Sequence, residues 1–389
     1  MNDTLTTAAE LMQDFVVRTD IAGEGPPRRY LWTDAFAVCN CLGLARDTGD
    51  PAWEDLALRL IDQVHQVLGR YREDDTRNGW LSGLSDDEAR AHPTLGGLRI
   101  GKPLPERRPD EPFDERLEWD RDGQYFHYLT RWMHALDQTS RATGDPRYNR
   151  WARELALTAY RAFIHRDGEG LPPRMYWKMS TDLRRPLVPS MGQHDPLDGL
   201  VAYRQLQATA EVLQDTDSGP DLREALATFE AMLPGLPLTT ADPLGLGGLL
   251  TDAWRLTQLG RAPDALDEPL IERLLEDAAT GLAHYRQSGE LQLPAGYRLA
   301  FRELGLAIGI TAVDRLLGSP AIDRAVRERH AEQFRSYLPL GSSLTAFWLT
   351  PANRQALTWT EHEDINAVML ATALQPEGYL DLFSIGAGR

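Results

Sequence analysis

Apolar residues recur at three- and four-residue spacing through most of the chain, which is the mark of helices that bury one face. Segments with this period cover residues 5–19, 34–47, 51–71, 122–142, 146–164, 197–213, 221–233, 245–260, 269–287, 297–317, 321–336 and 363–374. Alternating β-branched residues, which would mark half-buried strands, form no convincing run. The pattern predicts an all-α protein of twelve helices.

The connections between these helices repeat. Asp47-Thr48-Gly49-Asp50-Pro51-Ala52-Trp53 closes one helix and opens the next, and Ala142-Thr143-Gly144-Asp145-Pro146-Arg147-Tyr148 does so again. Glycine past the helix end takes the left-handed conformation, aspartate caps the following helix, and proline sits at its first position. Ser218-Gly219-Pro220-Asp221 and Gly318-Ser319-Pro320-Ala321 are weaker versions of this turn, and Arg261 to Glu268 takes the equivalent place between the eighth and ninth helices. The intervening connections, 20–33, 72–121, 165–196, 237–244, 288–296 and 337–362, are mostly long and rich in Pro, Gly, aromatics and charge. In a ring of helical hairpins, successive connections fall on opposite rims, so one rim carries nearly all the elaboration. Variable loops on a rigid scaffold are where function usually resides.

The even-numbered segments read as an inner layer. Gly245, Gly247 and Gly248 in the eighth, with Gly305, Ala307, Gly309 and Ala312 in the tenth, permit close approach, whereas 51–71 and 146–164 carry a charged outer face. Twelve helices alternating outer and inner describe an (α/α)6 barrel, a single domain over residues 1–389 with a long rim loop at 72–121. An open solenoid of helical pairs would use the same turns.

Composition narrows the partners. Lys+Arg 41 against Asp+Glu 58 gives a net charge of −17, a field that opposes phosphate-directed binding, so nucleic acid is not expected. Apolar stretches such as Leu304 to Ile310 are far too short to span a membrane. The first residues lack the basic and apolar regions of a secretory signal, which points to the cytoplasm. Cys39 and Cys41, two apart on a helix, face different directions and read as buried thiols. No cofactor or metal is expected, although His194 beside Asp195 is the pair from which a metal site would be built.

The helix count and the Thr-Gly-Asp-Pro turns resemble the six-hairpin glycosidase superfamily and its (α/α)6 relatives, which include sugar 2-epimerases and unsaturated uronyl hydrolases. The resemblance covers nearly the whole chain but only at the level of architecture. It implies carbohydrate chemistry in a central cleft and a small-molecule or oligosaccharide substrate, while no single family's catalytic signature stands in this sequence.

Four inner helices open with a constellation suited to that chemistry. Tyr30, Trp32 and Asp34 enter the second helix, the aromatics as flat faces for a pyranose and the acid as a helix cap or cleft group. Trp119, Asp120, Asp122, Gln124, Tyr125 and His127 open the fourth. Tyr176 and Trp177 precede His194 and Asp195 at the start of the sixth, where Asp195 before Pro196 also reads as a cap. Trp359, Glu361 and His362 open the twelfth, where Thr360 and Glu363 have the spacing of a capping box. Within the 72–121 loop, Gly96-Gly97 and Gly101 lack the spacing of a nucleotide-binding turn. Arg99 and Lys102 stand either ready for an anionic substituent or within a clamp packed on the rim.

Two carboxylates among Asp34, Asp120, Asp195 and Glu361 predict a glycoside hydrolase, one acid protonating the leaving oxygen and the other activating water. The alternatives are a sugar epimerase or isomerase using His127, His194 or His362, and a noncatalytic carbohydrate-binding or scaffold protein.

Overall fold

The computed structural model describes residues 3–166, 168, 172–260 and 267–385. The helices in chain order are α1 (Asp3–Arg18), α2 (Leu31–Thr48), α3 (Ala52–Leu68), α4 (Asp86–Ala91), α5 (Glu115–Asp120), α6 (Phe126–Thr143), α7 (Pro146–Phe163), α8 (Asp195–Val212), α9 (Arg223–Met232), α10 (Pro243–Leu259), α11 (Glu268–Gln287), α12 (Ala300–Gly318), α13 (Arg324–Phe334), α14 (Leu338–Leu349), α15 (Leu357–Thr360), α16 (Glu363–Leu374) and α17 (Glu377–Leu380). Each of the twelve expected segments is a helix. Five short strands, β1 (Gln124–Tyr125), β2 (Ile164–His165), β3 (Arg174–Met175), β4 (Lys178–Met179) and β5 (Pro186–Val188), form a three-stranded sheet in the order β1-β4-β5 and a β2-β3 ribbon.

The chain divides into two compact units. One comprises residues 1–18, 43–50 and 237–382, the other 19–42, 51–236 and 383–389.

In the first unit α10 and α12 run in close contact because glycines face each other. A Cβ on Gly247 would strike the Gly305 carbonyl, and one on Gly309 would stand 2.6 Å from the Gly247 Cα. At its opening, α10 is capped by Asp242, whose carboxylate accepts from the Gly245 amide at 2.9 Å. The sequence pattern missed α14 because Pro339 and Gly341-Ser342-Ser343 read as a loop, yet proline is tolerated in a first helical turn. Gly341 lets α14 approach Ile310 of α12, with a Cβ there only 3.1 Å from Ile310. The connection 261–266 lies outside the described residues.

In the second unit α6 and α8 are buried on all sides, as inner helices are, and α7 keeps polar residues outward. The turn between α6 and α7 has the expected chemistry: Gly144 is left-handed at φ 74° and Asp145 accepts from the Arg147 amide at 2.9 Å. At the start of α3 the cap position falls on Pro51 and no side-chain cap forms. Buried Asp137 of α6 accepts from Asn149 (2.8 Å), Gln205 (2.7 Å), Thr209 (2.9 Å) and Arg141 (3.2 Å), tying three helices together. Cys39 and Cys41 are buried free thiols, and burial pushes the Cys41 thiol up to about 12. Among the described residues no helix is long and apolar enough to cross a membrane.

Candidate active site

The expected fourth helix begins at Phe126 rather than residue 122, because residues 122–125 are extended. Gly123 adopts φ 148°, a conformation that side-chain-bearing residues rarely enter, and Gln124 and Tyr125 pair with Met179 and Lys178 across β1 and β4. That pairing brings Trp177, next to β4, against Tyr125, with ring centroids 4.9 Å apart. His127 follows in the first turn of α6, stacked on Tyr125 at 5.4 Å and parallel to Trp177 at 6.3 Å. Trp32 of α2 meets His127 edge-on at 6.1 Å, and Tyr128 completes the wall at 5.3 Å from Trp32. The Tyr30 and Tyr128 hydroxyls share a hydrogen bond of 2.6 Å, while burial raises the Tyr30 phenol to about 12. Trp119, half-exposed, leans on Trp177 at 5.2 Å.

Asp195 stands at the edge of this wall. It is the first residue of α8, with His194 at the cap position and no side-chain cap formed, so the expected capping role is not observed. Gly192 closes over the carboxyl so tightly that a Cβ there would lie 2.6 Å from the Asp195 Cγ. Asp195 Oδ2 is buried with no hydrogen-bond partner, and Oδ1 lies 3.8 Å from His127 Nδ1. Burial raises the Asp195 carboxyl well above the usual range, and the nearby charge of Asp198 raises it further. The same burial lowers His127 to about 4, Asp198 opposing that shift and Arg131 adding to it. Burial thus favours the protonated form of Asp195 and the neutral imidazole of His127. Asp198, one turn along α8, is held by Arg131 Nη2 at 3.0 Å. Trp32 Nε1 is a second buried polar atom here without a partner.

Other expected site residues are engaged elsewhere. Asp34 lies inside α2, since that helix starts at Leu31, and its carboxylate accepts from the Tyr30 amide at 2.9 Å and faces Arg29 at 3.5 Å. Asp122 is fully buried and accepts from Gly101 N and Gly123 N, both at 3.0 Å, and from Arg99 at 2.5 Å. The Gln124 amide accepts from Leu98 N at 2.9 Å and donates to Gly96 O at 3.1 Å and Thr181 O at 2.8 Å. These two hold the 72–121 loop in place with every polar atom occupied. Arg99 is likewise committed, donating also to Arg70 O at 2.6 Å and Val67 O at 2.7 Å, so this part of the loop is a packed clamp. Asp120 is exposed at the end of α5. Tyr176 stacks on His165 at 3.9 Å beside the β2-β3 ribbon. Trp359, Glu361 and His362 belong to the other unit. There Trp359 is buried against Trp348 at 5.8 Å, Glu361 is exposed, and exposed His362 meets Phe301 at 5.9 Å. The expected capping box is absent, because Thr360 ends α15 and its hydroxyl donates to Leu357 O at 3.3 Å.

Two amines flank the wall. Lys178 is fully buried and uses all three hydrogens, on Glu118 O (2.7 Å), Glu118 Oε1 (2.9 Å) and Arg121 O (2.7 Å), its ammonium 5.3 Å from the Tyr125 ring. Lys102 lies 5.4 Å above the Tyr30 ring. Burial lowers the pKa of both. Sequence reasoning passed over Tyr128, Arg131 and Asp198. Asp198 was legible as the i+3 partner of Asp195 on one helix face, whereas its pairing with Arg131 of another helix has no local signal. Among the described residues no cluster of three or more His, Cys, Asp or Glu is arranged to hold a metal ion.

No family model matches the chain, and no curated protein matches it. Solved structures do. Cellobiose 2-epimerase from Spirochaeta thermophila superposes with a TM-score of 0.51 at 13% identity, over 97% of this chain and 99% of that one. The GH76A α-1,6-mannanase from Salegentibacter gives 0.53 at 14% identity over 96% and 99%. The GH76 α-mannanase of Bacteroides thetaiotaomicron gives 0.50 at 10% identity over 97% and 96%. The chain shares the (α/α)6-barrel fold of these proteins. At such identity the likeness is one of fold.

Proposed function

We propose that the protein is a carbohydrate-active enzyme, a glycoside hydrolase in which Asp195 is the general acid. The observation that carries this reading is the buried Asp195 carboxyl with its unpartnered Oδ2, kept protonated among aromatic rings on which a sugar can stack. A protonated carboxyl is what a leaving glycosidic oxygen requires. Asp198, facing Arg131 and one turn further on, is the carboxylate that activates water or attacks the anomeric carbon. The fold likeness to a mannanase supports the reading.

A second reading, sugar epimerisation, is favoured by one observation. His127 is a neutral imidazole whose Nδ1 lies 3.8 Å from Asp195 Oδ1. An acid next to a free base is what proton transfer at a carbon beside a carbonyl needs. Proton NMR of the protein with mono-, di- and oligosaccharides in heavy water separates the two. New anomeric signals establish hydrolysis, and their initial configuration gives the stereochemistry. Deuterium entering C2 establishes epimerisation. Asp195→Asn abolishes either activity, whereas Asp120→Asn, altering an exposed carboxylate, retains it. An active Asp195→Asn variant overturns the assignment of Asp195.

A further inference from the structure

A second concavity, away from the aromatic wall, is built by α3, by the segment carrying Trp80 and His92, and by α7. It encloses a volume of 710 Å³. That is within the range of small-ligand sites. None of the residues of the aromatic wall lines it. His92 reaches from the long rim loop to place Nδ1 2.6 Å from Glu154 Oε1 of α7, and this contact joins the loop to the outer helix.

The other oxygen, Glu154 Oε2, is buried with no partner, on a residue only 9% exposed. A bare buried acceptor on a cavity wall is normally satisfied by a donor from outside, since leaving it unmet forfeits the solvation it had in water. Burial raises the Glu154 carboxyl above the usual range, opposed by the His92 contact.

Charged groups of both signs line the cavity. Arg147 lies over the Trp151 ring at 5.2 Å, and Arg90 and Asp62 line the same space. Arg150 is already matched by Asp215 at 2.7 and 2.6 Å, and Arg147 by Asp145 at 3.3 Å. The charges therefore nearly cancel, which disfavours a phosphate or a carboxylate as the occupant. A neutral polyol suits this lining: its hydroxyls donate to Glu154 and accept from guanidinium groups.

We propose that this cavity is a second binding site for a neutral sugar of one or two rings, held by Glu154, Arg147 and His92 and separate from the reacting groups. The choice of a sugar rests on the carbohydrate reading above, whereas the cavity and its unmet acceptor do not depend on it. Such a site would hold one part of a longer glycan, or a product, against the same protein that processes it.

The test is isothermal titration and saturation-transfer NMR of the full chain with glucose, mannose and cellobiose. Inorganic phosphate and glucuronate serve as anionic comparisons. Trp177→Ala, which weakens the aromatic wall, is the background against which loss at the cavity is read. The expected result is sugar binding that persists in Trp177→Ala and falls at least tenfold when Glu154→Leu or Arg147→Ala is added. Arg147 is about half exposed, so its variant guards against misfolding of the Glu154 variant. Binding lost in Trp177→Ala alone would place all sugar at the wall and overturn the cavity proposal while sparing the carbohydrate reading. Binding confined to phosphate and glucuronate would overturn the neutral-sugar assignment. No sugar binding in any variant would overturn both.

Discussion

Replacing Asp195 by Asn tests the burial of its carboxyl through stability alone, without knowledge of the substrate. The unfolded chain ionises an aspartate at about pH 3.9. The folded protein holds Asp195 protonated well above the ordinary range. Between the two values the folded state binds more protons than the unfolded state, so the contribution of Asp195 is fully present below about pH 3.9 and is lost as pH rises. The loss runs at about 1.4 kcal/mol per pH unit until the folded carboxyl itself ionises. Asparagine does not titrate. The stability of Asp195→Asn minus that of the parent should therefore change little below about pH 4 and grow in favour of the variant at that slope above it. Urea unfolding of both proteins from about pH 4 to 8, followed by tryptophan fluorescence, measures the difference while other titrating groups cancel. The variant is expected to be more stable and inactive at neutral pH. A difference that stays flat over that range would refute the reasoning, since it would mean that the folded carboxyl ionises as freely as the unfolded one.

Three further outcomes follow from packing. Gly247→Ala forces a methyl group into the Gly305 carbonyl. It is expected to lose about 1–3 kcal/mol by thermal or urea unfolding. Gly296→Ala, whose Cβ meets nothing within 4 Å, is its control. That variant should stay within about 0.5 kcal/mol of the parent. Asp137→Ala strands Arg141 in the interior and should cost about 3–5 kcal/mol by the same measurement. Asp137→Asn recovers part of the loss, because an amide oxygen in the Oδ2 position still accepts from Gln205, Thr209 and Arg141, while Asn149, which donates to Oδ1, loses its acceptor. Trp177→Ala removes a ring stacked against Tyr125 and His127. Such a face is worth roughly 1 kcal/mol, so KM for the proposed sugar substrate should rise roughly two- to tenfold with little change in melting temperature.

The helical frame was legible because its signals are local. Period, Gly144 and Asp145 act within a few residues of where they stand, and the small-residue surfaces of 245–260 and 297–317 announced a close contact that Gly247 and Gly309 make. Legibility failed where a distant residue decides. Asp122 and Gln124 looked like site groups beside Trp119, yet their partners Arg99, Leu98 and Thr181 lie 23 to 57 positions away. Nothing in the sequence foretold β1, because two residues become a strand only when Lys178 and Met179 arrive beside them. Asp195 read both as a cap before Pro196 and as a catalytic candidate, and only the closure of Gly192 and the approach of His127 separate the two. The 337–362 segment misled in the opposite direction, reading as a connection although Pro339 sits in the first turn of a helix.

Of the 41 basic residues only two are lysines, Lys102 and Lys178. Lys178 has its three hydrogens engaged in the interior, so acylating reagents and lysine-specific proteases reach it only once the fold opens. Lys102 is then the single lysine side chain available in the native protein, and it lies over Tyr30. Apart from the α-amino group of the chain, an amine-reactive fluorophore would attach beside the aromatic wall, where its emission reports what occupies the wall. A lysine-specific protease would in turn read unfolding as a cut at one position.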